Sequence, residues 1–180
     1  HRIFFERAQL KRRYLKDFNG ALKDYTSSIR FNPNYVRAYV YRGILYERNF
    51  RDFKAAEKDY RKSIEIDPEC GTCWMQLGYS YRTVSTAEQI ESLEIALEFG
   101  TDLDFDGKLE PTFFIYDRIA DIKLEFLGDY IGAIESYQRL IDNYEELDSD
   151  GDGEVDDLGY LDQANASISD IYFENLNEIE

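Results

Sequence analysis

Residues 17–33 read DFNGALKDYTSSIRFNP, and residues 52–68 read DFKAAEKDYRKSIEIDP. Laid over one another at an offset of 35, nine of the seventeen positions are identical. The register continues upstream, where Phe4 falls on Tyr39, Arg7 on Arg42, Ala8 on Gly43 and Arg13 on Arg48. Chance does not align acids, tyrosines and prolines over a whole unit, so the chain is built from a repeated element of 35 residues. Inside each unit, apolar and small residues recur three and four apart, as in Ala21, Tyr25, Ser28 and Ile29. That spacing puts them on one face of a helix. Leu10 and Tyr14 belong to a second such block before a short polar turn. Asn32-Pro33 and Asp67-Pro68 close each unit, because the residue before proline is driven out of the helical region. Each unit is therefore predicted to be a helix–turn–helix hairpin, which buries its apolar faces by stacking on its neighbours.

After Pro68 comes WMQLGYSY, residues 74–81. Trp74, Leu77, Gly78 and Tyr81 fit the W-x2-L-G-x2-Y pattern, and on these residues the chain resembles the tetratricopeptide-repeat family. Gly43 and Gly78, with Ala8 in the same register, are read as points where two helices approach closely, and Ala21 and Ala56 do the same from the second helix. A further unit is visible in LGDYIGAIESYQRLI, residues 127–141, whose Ile-Glu-Ser at 134–136 matches the one at 90–92 at a spacing of 44. The extra length marks an insertion. The resemblance implies an all-α, right-handed solenoid of stacked hairpins, about four repeats plus a terminal helix, forming a single array. The repeats are expected at 1–35, 36–70, 71–101 and 111–147, with the last helix at 160–178.

The resemblance also implies a concave groove lined by the first helix of each repeat. It assigns to that groove Phe5, Gln9 and Arg12, then Arg37, Val40, Ile44 and Glu47, then Thr72, Met75, Tyr79 and Arg82. Arginines mixed with aromatic and methionine side chains suit a peptide with apolar anchors and some acidic residues. Phe5 and Gln9 stand where the lysine and asparagine of a carboxylate clamp are expected, so a chaperone-tail ligand is not anticipated.

Aromatic residues make up 16% of the chain and hydrophobic ones 43%, enough for a packed core rather than disorder. No run of eighteen apolar residues occurs, so no transmembrane helix is expected. The chain starts at His1 rather than Met, which suits a processed or excised piece. Charge is unevenly spread: residues 1–63 carry a net +9 and residues 64–180 a net −25. The two halves read as differently solvated faces, or as a basic end for an acidic partner and an acidic end for cations. Nucleic acid is disfavoured, because phosphate would be repelled by a chain of net −16.

Acid is concentrated in two insertions, DLDFDGKLE at 102–110 and DSDGDGEVDD at 148–157. Asp102, Asp104, Asp106 and Gly107 match Asp148, Asp150, Asp152 and Gly153 at an offset of 46. Both read D-x-D-x-D-G-x-[LV] and resemble the first two-thirds of an EF-hand calcium loop. Alternate aspartates would turn hard oxygens to one centre. Glycine would take the sharp bend, and the carbonyl of Lys108 or Glu154 would add a ligand. The bidentate glutamate at the twelfth position is absent, replaced by Phe113 and Gly159. Glu110 and Asp156, or Asp117 and Asp162 further on, are the candidates to close the shell. The expected ligand is Ca²⁺, bound weakly, with an acidic loop that binds nothing as the alternative.

Cys70 and Cys73 form CGTC at a predicted helix start. A local disulfide, buried reduced thiols and a redox pair are all compatible with that spacing. A thioredoxin-type site needs a βαβ setting that is missing here, and zinc would need two more ligands. A disulfide and calcium-type loops both suit an extracytoplasmic compartment, whether periplasmic, secreted or surface-anchored. No nucleophile elbow, P-loop or dinucleotide fingerprint occurs, so an enzyme is not expected. Three functions remain: a scaffold for protein or peptide partners with structural calcium loops, a calcium-responsive interaction switch, and a thiol–disulfide protein using Cys70 and Cys73.

Overall fold

The computed structural model describes residues 1–80, 83–102, 105, 112–144 and 159–176, and every regular element among them is helical. The helices are α1 Arg2–Leu10, α2 Phe18–Phe31, α3 Val36–Leu45, α4 Phe53–Ile66, α5 Gly71–Gly78, α6 Thr86–Phe99, α7 Phe113–Ile122, α8 Tyr130–Tyr144 and α9 Gly159–Ile171. The chain divides into two compact units, His1–Leu109 and Glu110–Glu180. The first holds the hairpins α1/α2, α3/α4 and α5/α6. The second holds α7/α8 followed by α9.

Local chemistry explains why the α1/α2, α3/α4 and α7/α8 hairpins turn where they do. The first helix runs into one wide π-helical turn at Lys11–Leu15, Tyr46–Phe50 and Lys123–Leu127. A left-handed residue follows: Lys16 at φ 54°, Arg51 at φ 56° and Gly128 at φ 62°. In each copy that residue and the next one return their N–H groups to a single carbonyl, of Lys11, Tyr46 or Lys123. Only the third copy uses glycine, the residue for which this backbone is free of Cβ strain. The next residue is Asp17, Asp52 or Asp129, whose carboxylate accepts the N–H three positions on at 2.9, 3.1 and 2.9 Å. Ser85 does the same for α6 at 3.2 Å. An aspartate or serine cap thus starts every second helix of the hairpins, satisfying an N–H the helix cannot.

The second and third hairpins close on a small residue facing a large one. A Cβ on Gly43 would stand 2.5 Å from the Tyr60 ring, and one on Gly78 would stand 2.6 Å from Leu93. Both distances are too short for any side chain, so these glycines are contact points between helices, as the repeat register indicates. Phe5, Ala8, Ala21, Tyr25, Ala38, Tyr41 and Leu45 form the core of the first two hairpins. In the second unit, Ala120, Ala133, Tyr137, Leu140, Ala164 and Ile171 do so.

Paired charges reinforce the hairpins in a way the repeat alignment does not anticipate. Arg7 grips Asp24 through two hydrogen bonds of 2.7 and 2.6 Å, and Arg42 grips Asp59 through two of 2.7 Å. The sequence separation is 17 both times. That repeated spacing is the signal in the linear chain, but alignment alone does not join the members of a pair. Lys11 adds a second cation to Asp24 at 2.9 Å. The Arg7 guanidinium above all, with Lys11 beside it, holds the Asp24 carboxyl below the usual carboxylate range. Asp59 has one cation and deeper enclosure, so burial outweighs Arg42 and pushes its carboxyl up.

Candidate peptide groove

The first helices of the first unit supply the groove, and their residues fall into three groups. Phe5 and Val40 are each 1% exposed and Met75 is 4% exposed, so these three lie beneath the surface. Phe5 is covered by Tyr25, Tyr35 and Tyr41, whose ring centroids lie 5.8, 5.3 and 5.5 Å away. Thr72 is also buried. Gln9, Arg12, Arg37, Ile44 and Tyr79 are half-buried and form the accessible wall. Glu47 is turned to the second helix, where its carboxylate accepts the Tyr60 hydroxyl at 2.9 Å. Arg82 lies outside the described residues.

The two arginines of this wall lie over buried aromatic rings. The Arg12 guanidinium lies 5.4 Å from the Tyr41 ring, bonded at 3.0 Å to the Gln9 side-chain carbonyl. Arg37 lies between two rings, 5.0 Å from Phe5 and 5.5 Å from Phe105. Both separations are within the range in which a cation is drawn to a ring face. Beneath them, Val40, Cys70 and Cys73 form an apolar floor bordered by Val36, Ile44 and Ile64. Cys70 and Cys73 are joined by a disulfide, which settles their pairing. The Cys70 sulfur also accepts the Cys73 N–H at 3.2 Å, capping α5. Cys73 is wholly buried, so the bond is built into the floor of the groove.

Phe105 is the occupant that sequence reasoning missed. It lies in the first acidic insertion, yet its ring packs on the buried cluster of Val40, Cys70 and Cys73. It also stands 6.2 Å from Tyr41. The start of its segment is fastened to α5: the Thr72 hydroxyl donates to the Asp102 carbonyl and accepts from the Asp102 N–H, each at 2.9 Å. Gly71 permits this approach, because a Cβ there would meet the Gly100 carbonyl oxygen.

Most of the expected calcium ligands fall outside the described residues, namely Asp104, Asp106, Lys108, Glu110, Asp148, Asp150, Asp152, Glu154 and Asp156. Of the others, Asp102 is tied through its backbone as above, and Asp162 is exposed on α9. Asp117 is half-buried on α7, its carboxyl pushed up by burial and by the neighbouring Asp121. Among the described residues, no three His, Cys, Asp or Glu side chains converge as a metal site would require. No helix among them is long and apolar enough to cross a membrane.

Comparison with known proteins adds a family match and a fold. Residues 36–70 match the family model described as tetratricopeptide repeat. No curated protein sequence matches the chain significantly. Among solved structures, a crystal structure of MamA superposes with a TM-score of 0.64 at 18% identity, covering 98% of this chain and 92% of that one. The thermophilic TPR protein TTC0263 of Thermus thermophilus gives 0.63 at 18% identity, covering 92% of this chain and 80% of that one. The O-GlcNAc transferase mutant K341M of Thermobaculum terrenum gives 0.62 at 16% identity, but this chain spans only 26% of it. At such identities the likeness is one of fold and says nothing of activity. The chain therefore carries a tetratricopeptide repeat at 36–70, set in an all-helical array of the tetratricopeptide-repeat solenoid fold.

Proposed function

We propose that the chain is a non-enzymatic scaffold that holds a protein partner through a peptide laid along α1, α3 and α5. The half-buried Arg12 and Arg37, held over the buried Tyr41 and Phe5 rings beside an apolar floor, are the observation that carries this reading. Arginine and tyrosine are the side chains that dominate binding energy at protein interfaces, and a helical array offers them on a rigid surface. The test is a selection of random peptides on the intact chain, followed by titration against Arg37→Glu. Peptides that lose at least tenfold in affinity on that variant support the groove. Failure to select any peptide, or selection of peptides indifferent to Arg37, sinks it.

Calcium is proposed as a ligand of the two D-x-D-x-D-G insertions, supported by their matching register at 102–110 and 148–157. Asp102, the first residue of one pattern, has a backbone already fixed by Thr72. Phe105, its fourth residue, lies against the groove wall. Metal binding and groove occupancy would share one short segment, which favours a calcium-responsive partner affinity over a purely structural ion. A thermal melt in EDTA, then in 5 mM calcium or magnesium, checks the ion itself. With a dissociation constant on the order of 10⁻⁴ M, calcium should add about 2 kcal/mol for each loop it occupies. Asp104→Asn and Asp150→Asn should each diminish that gain. Equal midpoints in EDTA and calcium would return both stretches to solvated acidic loops.

A further inference from the structure

We propose that the groove is a receptor for an aromatic side chain carried on an acidic peptide segment, and that Phe105 sits in it as a resident mimic of that ligand. The inference rests on the groove reading above and names the chemistry of its occupant. Three observations converge on it.

The seat matches the ring. Phe105 meets an apolar floor of Val40 and the Cys70–Cys73 disulfide, with Tyr41 beside it and the Arg37 guanidinium 5.5 Å from its centroid. Yet the ring is only half-buried, unlike the neighbouring Phe5. It rests on the surface of the core without being part of it, which is the position of a replaceable group.

The backbone is bent to put it there. Phe105 has φ 54°, a left-handed conformation that disfavours any bulky residue. Glycine or asparagine is the usual occupant of such a position. A phenylalanine held in it is compensated by the packing of its ring. The tether is short, since Asp102, bonded through both backbone groups to Thr72, is three residues away.

The flanks match the wall. Asp102, Asp104 and Asp106 alternate around Phe105 in sequence, whereas Arg12 and Arg37 are cations of the groove wall among the described residues, in the basic stretch of the chain. A partner presenting an aromatic residue between carboxylates would satisfy the same floor, ring contact and charge. A ligand on so short a tether competes at high effective concentration, so the free groove is only a fraction of the population and an external peptide binds more weakly by that fraction.

The experiment uses a fluorescein-labelled peptide TDLDFDGKLE, the chain's own 101–110, titrated by anisotropy into the full chain and into Phe105→Gly. Glycine is chosen because it accepts φ 54° and removes only the ring. The expected result is binding to Phe105→Gly that is at least tenfold tighter than to the wild type. Binding should be lost with alanine for the peptide's phenylalanine, weakened with asparagine for its aspartates, and lost with Arg37→Glu added to the protein. A folded Phe105→Gly that leaves the peptide unbound, or binds it no tighter than the wild type does, overturns the proposal. Should Phe105→Gly fail to fold, the wild type titrated to millimolar peptide decides: saturation abolished by Arg37→Glu supports it, and no binding overturns it. Peptides selected on the chain that carry neither aromatic nor acidic residues would leave the scaffold reading intact and defeat this one. Failure to select any peptide defeats both.

Discussion

Asp59→Ala should lower the melting midpoint by roughly 6–12 °C, a loss of about 3 kcal/mol. Asp59 is 3% exposed and receives both arms of Arg42, whose own side chain is 16% exposed. Removing the carboxylate strands a desolvated guanidinium, and that stranding is the main cost. Arg42 also reaches the Thr26 hydroxyl of the preceding hairpin at 3.2 Å, a neutral group that cannot replace a carboxylate. The control is removal of both charges. Arg42→Leu combined with Asp59→Leu should recover most of the loss, because an apolar pair of similar volume packs without a desolvation penalty. Arg7→Ala, the counterpart one repeat earlier, should do less harm, since the Arg7 side chain is 54% exposed and Asp24 keeps Lys11. A thermal-melt series at neutral pH decides. Equal losses at Arg7 and at Asp59, or no recovery in the double variant, would show that burial does not govern these pairs.

Tyr60→Ala is expected to cost more, about 4 kcal/mol. The Tyr60 side chain is fully buried, its ring fills the space left by Gly43, and its hydroxyl donates to Glu47. Truncation opens a cavity between α3 and α4 that neither backbone can close, because both helices also pack on other neighbours. Tyr60→Phe keeps the ring and isolates the polar part. It should cost about 1–2 kcal/mol by leaving the Glu47 carboxylate without that donor. Burial, and then Glu47, push the Tyr60 phenol well above its ordinary value, so it remains a donor across the pH range of the experiment. Chemical denaturation with both variants checks the order. A Tyr60→Ala chain as stable as Tyr60→Phe would mean that the ring contributes nothing to the hairpin.

Much of the architecture is legible in the linear chain because its causes are short-range. The helices follow from spacings of three and four residues, and their ends from Asp-Pro and Asn-Pro. The caps at Asp17, Asp52, Asp129 and Ser85 act over three residues. Ala8, Gly43 and Gly78 stand at helix contacts because a period of 35 returns the same position to the same neighbour. The disulfide is one of three readings of CGTC, and folding decides among them by placing Cys70 as the cap of α5 with Cys73 one turn on.

The groove is a different case. Phe5, Val40 and Met75 are positioned by the repeat register, but whether each faces a partner or the chain itself depends on what lies across from it. Across from Val40 lie a disulfide and a phenylalanine from an insertion 65 residues further on. No periodicity reports such a contact, because Phe105 belongs to no repeat. The same holds for Arg42 and Asp59, whose alignment with Arg7 and Asp24 is visible in the sequence and whose pairing is not. Repetition and proline spacing thus suffice for the hairpins, being properties of neighbours along the chain. The seating of Phe105 between Arg37 and Tyr41, and the burial that makes Asp59 costly to lose, arise only when distant segments are packed together and excluded water makes each contact count.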